Sequence, residues 1–184
     1  MKRILTIVSV LAFVIASSAM AEDYGWSLSA SNTDPSVNTA APTGTPASIN
    51  VYLWLDCVNP ALGAGAMECA LQITGFFPGS FTALNGALAT GAPDLLLAIP
   101  CATTPTLLGQ QGVLDFGTGG TVCMVNSSNG NNVTVDCDPL DPQLHAHAIH
   151  GFSSIVGTDP CQSGSCTIVS VEQSSWGSIK DLYR

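Results

Sequence analysis

Residues 48–56 read SINVYLWLD, and this stretch decides the fold. Ile49, Val51, Leu53 and Leu55 alternate with Asn50, Tyr52, Trp54 and Asp56. Successive side chains of a strand point to opposite faces, so a period of two buries one face and leaves a second, partly aromatic one. A helix would need apolar residues three and four apart, and no long stretch of that kind separates the extended segments.

Outward from this strand the same grammar recurs. Upstream, Tyr24, Trp26 and Leu28 alternate in a short first strand, and Asp34-Pro35, Pro42, Gly44 and Pro46 break the segment between. Downstream, 67–75 (MECALQITG) alternates through Met67, Cys69, Leu71 and Ile73, while 81–88 is a weaker strand. Residues 95–99 (LLLAI) form a continuous apolar run, consistent with a central strand or a short helix. Short strands at 112–116 and 121–125 flank Gly117, Gly119 and Gly120. Asn129-Gly130 then precedes 133–137 (VTVDC), the composition of a type I′ hairpin turn. Segments 146–155 and 166–172 complete the set. Many short strands with Gly/Pro turns predict an all-β chain, an antiparallel β-sandwich of about nine strands over 22–173.

The two ends read differently. Lys2 and Arg3 precede the apolar run 4–15, and Ala19-Met20-Ala21 supplies the small residues a signal peptidase accepts, so 1–21 is expected to be a cleaved signal peptide. The run is shorter than the roughly 20 apolar residues of a membrane span, and no later stretch is longer, so no transmembrane segment is expected in the mature protein. At the other end, Trp176, Ile179, Leu182 and Tyr183 lie on one face of a helix begun by Ser174-Ser175, which predicts a short amphipathic tail over 174–184.

Removal of 1–21 leaves Lys180 and Arg184 as the only Lys or Arg against thirteen acids, a net charge of −11. Such a surface repels phosphate backbones, and nucleic acid is not expected as a partner. Seven cysteines follow residue 21: Cys57, Cys69, Cys101, Cys123, Cys137, Cys161 and Cys166. In an exported chain they read as disulfides with one thiol left over. Cys161–Cys166 around a Gly/Ser loop and Cys123–Cys137 across the expected hairpin are the favoured pairs. The second needs a bulge, because a strict two-residue turn would place Cys123 opposite Asp136. Cys57 is left to pair with Cys69 or Cys101.

Three clusters carry candidate chemistry. His145, His147 and His150 (HAHAIH) include every histidine, and an H-x-H pair on one strand puts two imidazoles on one face, the beginning of a zinc or copper site. His150 has the opposite parity. Asp136, Asp138 and Asp141 gather hard oxygen donors suited to Ca2+, but Asp and Pro are also ordinary turn residues. Tyr52 and Trp54 form a candidate glycan-binding platform. Gly151-Phe152-Ser153-Ser154 lacks the closing glycine of a nucleophile elbow, and no catalytic residues are assigned. Asn126-Ser127-Ser128 and Asn132-Val133-Thr134 match the N-glycosylation pattern.

The segments VYLWLDC (51–57), VDC (135–137), GFSS (151–154) and DPC (159–161) resemble small exported bacterial β-domains of the cohesin-like or immunoglobulin-like sandwich kind. The terminal SSWGSIKDLYR (174–184) looks like a short sorting or anchoring tail found on exported bacterial proteins, with Trp176, Ile179 and Tyr183 as its recognised residues. The resemblance implies a non-catalytic role in binding or assembly at the cell surface or beyond, or in a periplasm, without a required cofactor. The implied partners are the export machinery and a protein or glycan at the surface. The alternatives are a metal-dependent secreted protein using the histidines and a carbohydrate-binding module.

Overall fold

The computed structural model describes residues 22–155 and 161–166. These residues are built from twelve strands and no helix, in two sheets that pair mostly antiparallel. The first sheet has the order β11-β1-β2-β7-β4, from β1 (Tyr24–Ser29), β2 (Ala47–Val58), β4 (Phe77–Ala83), β7 (Thr106–Asp115) and β11 (Ala148–His150). The second runs β10-β9-β3-β6-β5, from β3 (Ala64–Thr74), β5 (Leu88–Ala89), β6 (Asp94–Ala102), β9 (Val133–Asp136) and β10 (Leu144–His145). Here β8 (Thr121–Val125) also pairs with β3, and β12 (Phe152–Ser153) pairs with β8. The strand count exceeds nine because 81–88 and 146–155 each correspond to two short strands and β10 precedes 146–155 as a further one. The expected signal peptide, the strand expected at 166–172 and the tail at 174–184 lie outside the described residues, apart from Cys166.

The alternation in β2 does what its sequence dictates. Val51, Leu53 and Leu55 are buried, and Tyr52, Trp54 and Asp56 face outward. They meet Tyr24, Trp26 and Leu28 of β1, Met67, Cys69 and Leu71 of β3, and Leu95, Leu97 and Ile99 of β6 in one core. The apolar run 95–99 is therefore a strand with one buried face, and its outward Leu96 and Ala98 stay exposed.

Two expectations are corrected. Asn129-Gly130 makes no hairpin: β8 and β9 follow one another along the same edge of β3, opposite residues 70–74 and 64–68, and the loop between them bulges out. That loop closes on itself, with Ser127 and Asn131 paired through their backbones, and Gly130 takes a positive φ within it. Cys123 and Cys137 thus sit on collinear strands, too far apart along one edge to bond. The pairs formed are Cys57–Cys166, Cys101–Cys137 and Cys123–Cys161, with Cα separations of 6.2, 5.7 and 5.5 Å. Cys161 and Cys166 do not pair because each meets a cysteine of a different sheet, Cys123 on β8 and Cys57 on β2, while Ser163 between them is bridged to Ile149. Gly151 lies under this segment, where a side chain would meet Cys161 Sγ. Cys69 is the free thiol, buried in the core, and burial pushes it up to about 12. Three bridges mark a fold completed in an oxidising, extracellular type of environment.

Candidate functional site

The three histidines diverge because the chain crosses between the sheets within the cluster. His145 ends β10 in the second sheet, and His150 ends β11 in the first. His147 lies in the crossing, so the H-x-H pair does not share one strand face. Each ring has its own surroundings. His145 Nε2 lies 2.9 Å from Asp136 Oδ2, with the Tyr24 ring 5.1 Å from its own. His150 faces the pair Ser27 and Asp56 on the outside of the first sheet. Burial raises the Asp56 carboxyl above its ordinary range, against opposing pulls from His150 and Ser27.

His147 is the most constrained of the three. Its Nε2 is 2.8 Å from Asn132 Oδ1, which can only accept, so Nε2 carries the proton. Its Nδ1 accepts from Thr134 Oγ1 at 2.9 Å, and Thr134 Oγ1 in turn accepts from Trp26 Nε1 at 2.8 Å. This chain of bonds ties β1 of one sheet to β9 of the other through the core. Burial lowers the His147 pKa to about 4, so the ring is neutral near neutral pH. Its chemistry is that of a satisfied interior hydrogen-bonding group, with neither nitrogen offered to a ligand.

The acidic turn is organised by its own backbone. Asp136 Oδ1 accepts from the Asp138 and Gln143 amides at 3.1 Å each. The His145 hydrogen bond is the largest of the influences that hold this carboxyl below its ordinary range. Asp138 Oδ1 accepts from Leu140 and Asp141, and Asp141 is exposed. Among the described residues no three His, Cys, Asp or Glu side chains come together as a metal-binding group. Tyr52 and Trp54 are both half-buried, and Trp54 Nε1 donates to Ser31 O at 3.0 Å beneath the 30–38 loop. Tyr52 lines a cleft of about 270 Å³ with Ala30, Ala40 and Phe152, at the small end of ligand sites. Of the two glycosylation sequences, Asn126 is exposed, whereas Asn132 and Thr134 belong to the His147 network.

The feature that sequence reasoning missed is on the outer face of the second sheet. Leu88 pairs with Ala98, Ala98 with Ala66, Ala66 with Val135 and Val135 with Leu144. Directly opposed residues share a face, so five strands contribute to one apolar row. It spans about 19 Å at the usual strand spacing. Leu88 is 74% and Leu144 68% exposed. In the next row Leu96, 51% exposed, and Val133 flank Glu68. Ser127, Asn129 and Asn131 of the bulged loop bond the Glu68 carboxylate, and their hydrogen bonds lower its pKa, so it stays charged beside the row.

No protein-family model matches this chain, and no curated protein or solved structure matches it.

The local causes of this face are simple. LLLAI in β6 has no polar residue to place outward, and Ala66, Val133 and Val135 continue the apolar surface on β3 and β9. The sheet's flanks, β5 and β10, are only two residues long, which leaves little unpaired backbone at the edge. What remains is a side-chain surface.

Proposed function

We propose that this chain is an exported, non-catalytic β-sandwich that serves binding or structural assembly at the cell envelope. The outer face of the second sheet is its contact surface. The observation that carries this reading is the apolar row from Leu88 to Leu144. Contiguous exposed apolar surface is costly to leave in water, and on soluble domains it marks a place where another surface docks. The histidine geometry supports a non-catalytic role: the three rings occupy three environments, and His147 is spent on holding the sheets together. The two-sheet architecture is compatible with a β-sandwich, and function rests on the face rather than on the fold.

The test is retention of the protein on washed envelopes of the producing cells. Wild type is compared with an Ala98→Glu/Leu144→Glu variant, whose changed side chains point to solvent. Placing carboxylates in an apolar contact lowers retention by about tenfold or more on this reading. Equal retention of the folded variant refutes it.

A further inference from the structure

We propose that the segment 174–184 docks across the outer face of the second sheet of its own molecule, laying Trp176, Ile179 and Tyr183 along the row from Leu88 to Leu144. The proposal rests on the reading of that face as a contact surface and names its resident occupant.

Three observations converge on this occupant. The first is fit. The spacing of the segment predicts a helix, and eleven helical residues measure about 16 Å, against about 19 Å for the five-strand row. Trp176, Ile179 and Tyr183 project from one side, and such a helix is marginal until that side is covered.

The second is charge. Residues 22–155 contain ten acids and no Lys or Arg, and both remaining cations, Lys180 and Arg184, belong to this segment. Lys180 lies four residues after Trp176 and three before Tyr183, on the flank of the apolar stripe. The Glu68 carboxylate, held by its three side-chain donors, lies one row from Leu88–Leu144 on the same face. A second body of the same charge set against this face would bring like charges together, so the observations favour the chain's own segment over a symmetric face-to-face dimer.

The third is reach. Ser163 is bridged antiparallel to Ile149 and Cys166 is bridged to Glu22, so residues 163–166 run back along β11 toward the start of β1. The Cys57–Cys166 disulfide anchors the departure point beside Gly25 of β1, on the β11 side of the first sheet, and β11 follows β10 of the second sheet after two residues. Seven residues, 167–173, then extend up to about 23 Å, about twice the usual separation of two packed sheets. So short a tether gives a high effective concentration, in the millimolar range, and allows a weak contact to be occupied.

The experiment uses the full exported chain with 5-fluorotryptophan at its three tryptophans, each fluorine resonance assigned by a Trp→Phe substitution. A neutral gadolinium chelate reports exposure. The proposal expects Trp176 to be shielded in wild type, at every protein concentration. Leu88→Glu/Leu144→Glu should raise its relaxation enhancement several-fold while the buried Trp26 resonance stays in place. Leu96→Gln, a milder change on the same face, provides the reading if the double variant fails to fold. Trp176 already open in wild type, or shielding unchanged in the folded variants, overturns the proposal. Shielding lost on dilution also overturns it, by placing the segment on a second copy. Failure here with face-dependent envelope retention leaves the proposed function standing. Shielding without face-dependent retention removes the function and leaves an internal contact.

Discussion

Stability should fall as pH drops from about 6.5 to 4 through a contribution that belongs to His147. Burial depresses its pKa from 6.5 to about 4 in the folded protein. Between those values the unfolded chain binds a proton that the native state refuses, so the contribution is complete above pH 6.5 and lost progressively toward pH 4. The separation of the two pKa values corresponds to roughly 3 kcal/mol. Structurally, the cost is a charge buried in the core, and protonation of Nδ1 also takes away the acceptor of the Thr134 hydroxyl. Glu22 and Asp56 titrate with raised pKa values and act in the opposite direction, so a wild-type profile alone mixes the effects. Urea unfolding of wild type and His147→Gln at a series of pH values from 7.5 to 4.5 separates them. The stability difference between the two proteins should shrink by roughly 2 to 3 kcal/mol across that range. A difference that stays flat with pH refutes the buried, neutral assignment.

Non-reducing peptide mapping should recover Cys57–Cys166, Cys101–Cys137 and Cys123–Cys161, and iodoacetamide should label Cys69 only after denaturation; labelling of Cys69 in the native protein contradicts its buried place. Asp115 accepts hydrogen bonds from Thr43, Gly117 and Gly119, with the Thr43 amide the largest influence holding its carboxyl at about 2. Its contribution is present above pH 3.8 and lost as pH falls toward 2, so acid unfolding of Asp115→Asn should be less steep than that of wild type over this interval. Elemental analysis of untagged protein should find no stoichiometric zinc, copper or calcium, and zinc should not raise the melting temperature; one-to-one zinc or copper contradicts the placement of the three histidines, and one-to-one calcium contradicts that of the acidic turn.

The fold was legible because β2 and β3 carry a period-two pattern that local sterics and one-sided burial impose directly. Pairing was less legible. Asn129-Gly130 has hairpin composition, but hydrogen bonding of both flanking strands to β3 overrides it. Once those strands are collinear, Cys123 cannot reach Cys137. The histidine spacing suggested one strand face because nothing in HAHAIH announces a change of sheet at residue 147. The exposed row depends on register between five strands, which no single segment encodes. Its one sequence trace is the unbroken LLLAI of β6, an apolar run that fits burial on two faces and is given only one.

As a contact surface, the outer face of the second sheet is occupied in the native setting. A photo-crosslinking residue placed at Ala98, in the middle of the row, tests this in the producing cells against the same residue at Thr82, exposed on β4 of the other sheet. The prediction is a discrete adduct from position 98, to a partner or to residues 174–184, and none from position 82. No adduct at 98, or the same adducts from both positions, contradicts it.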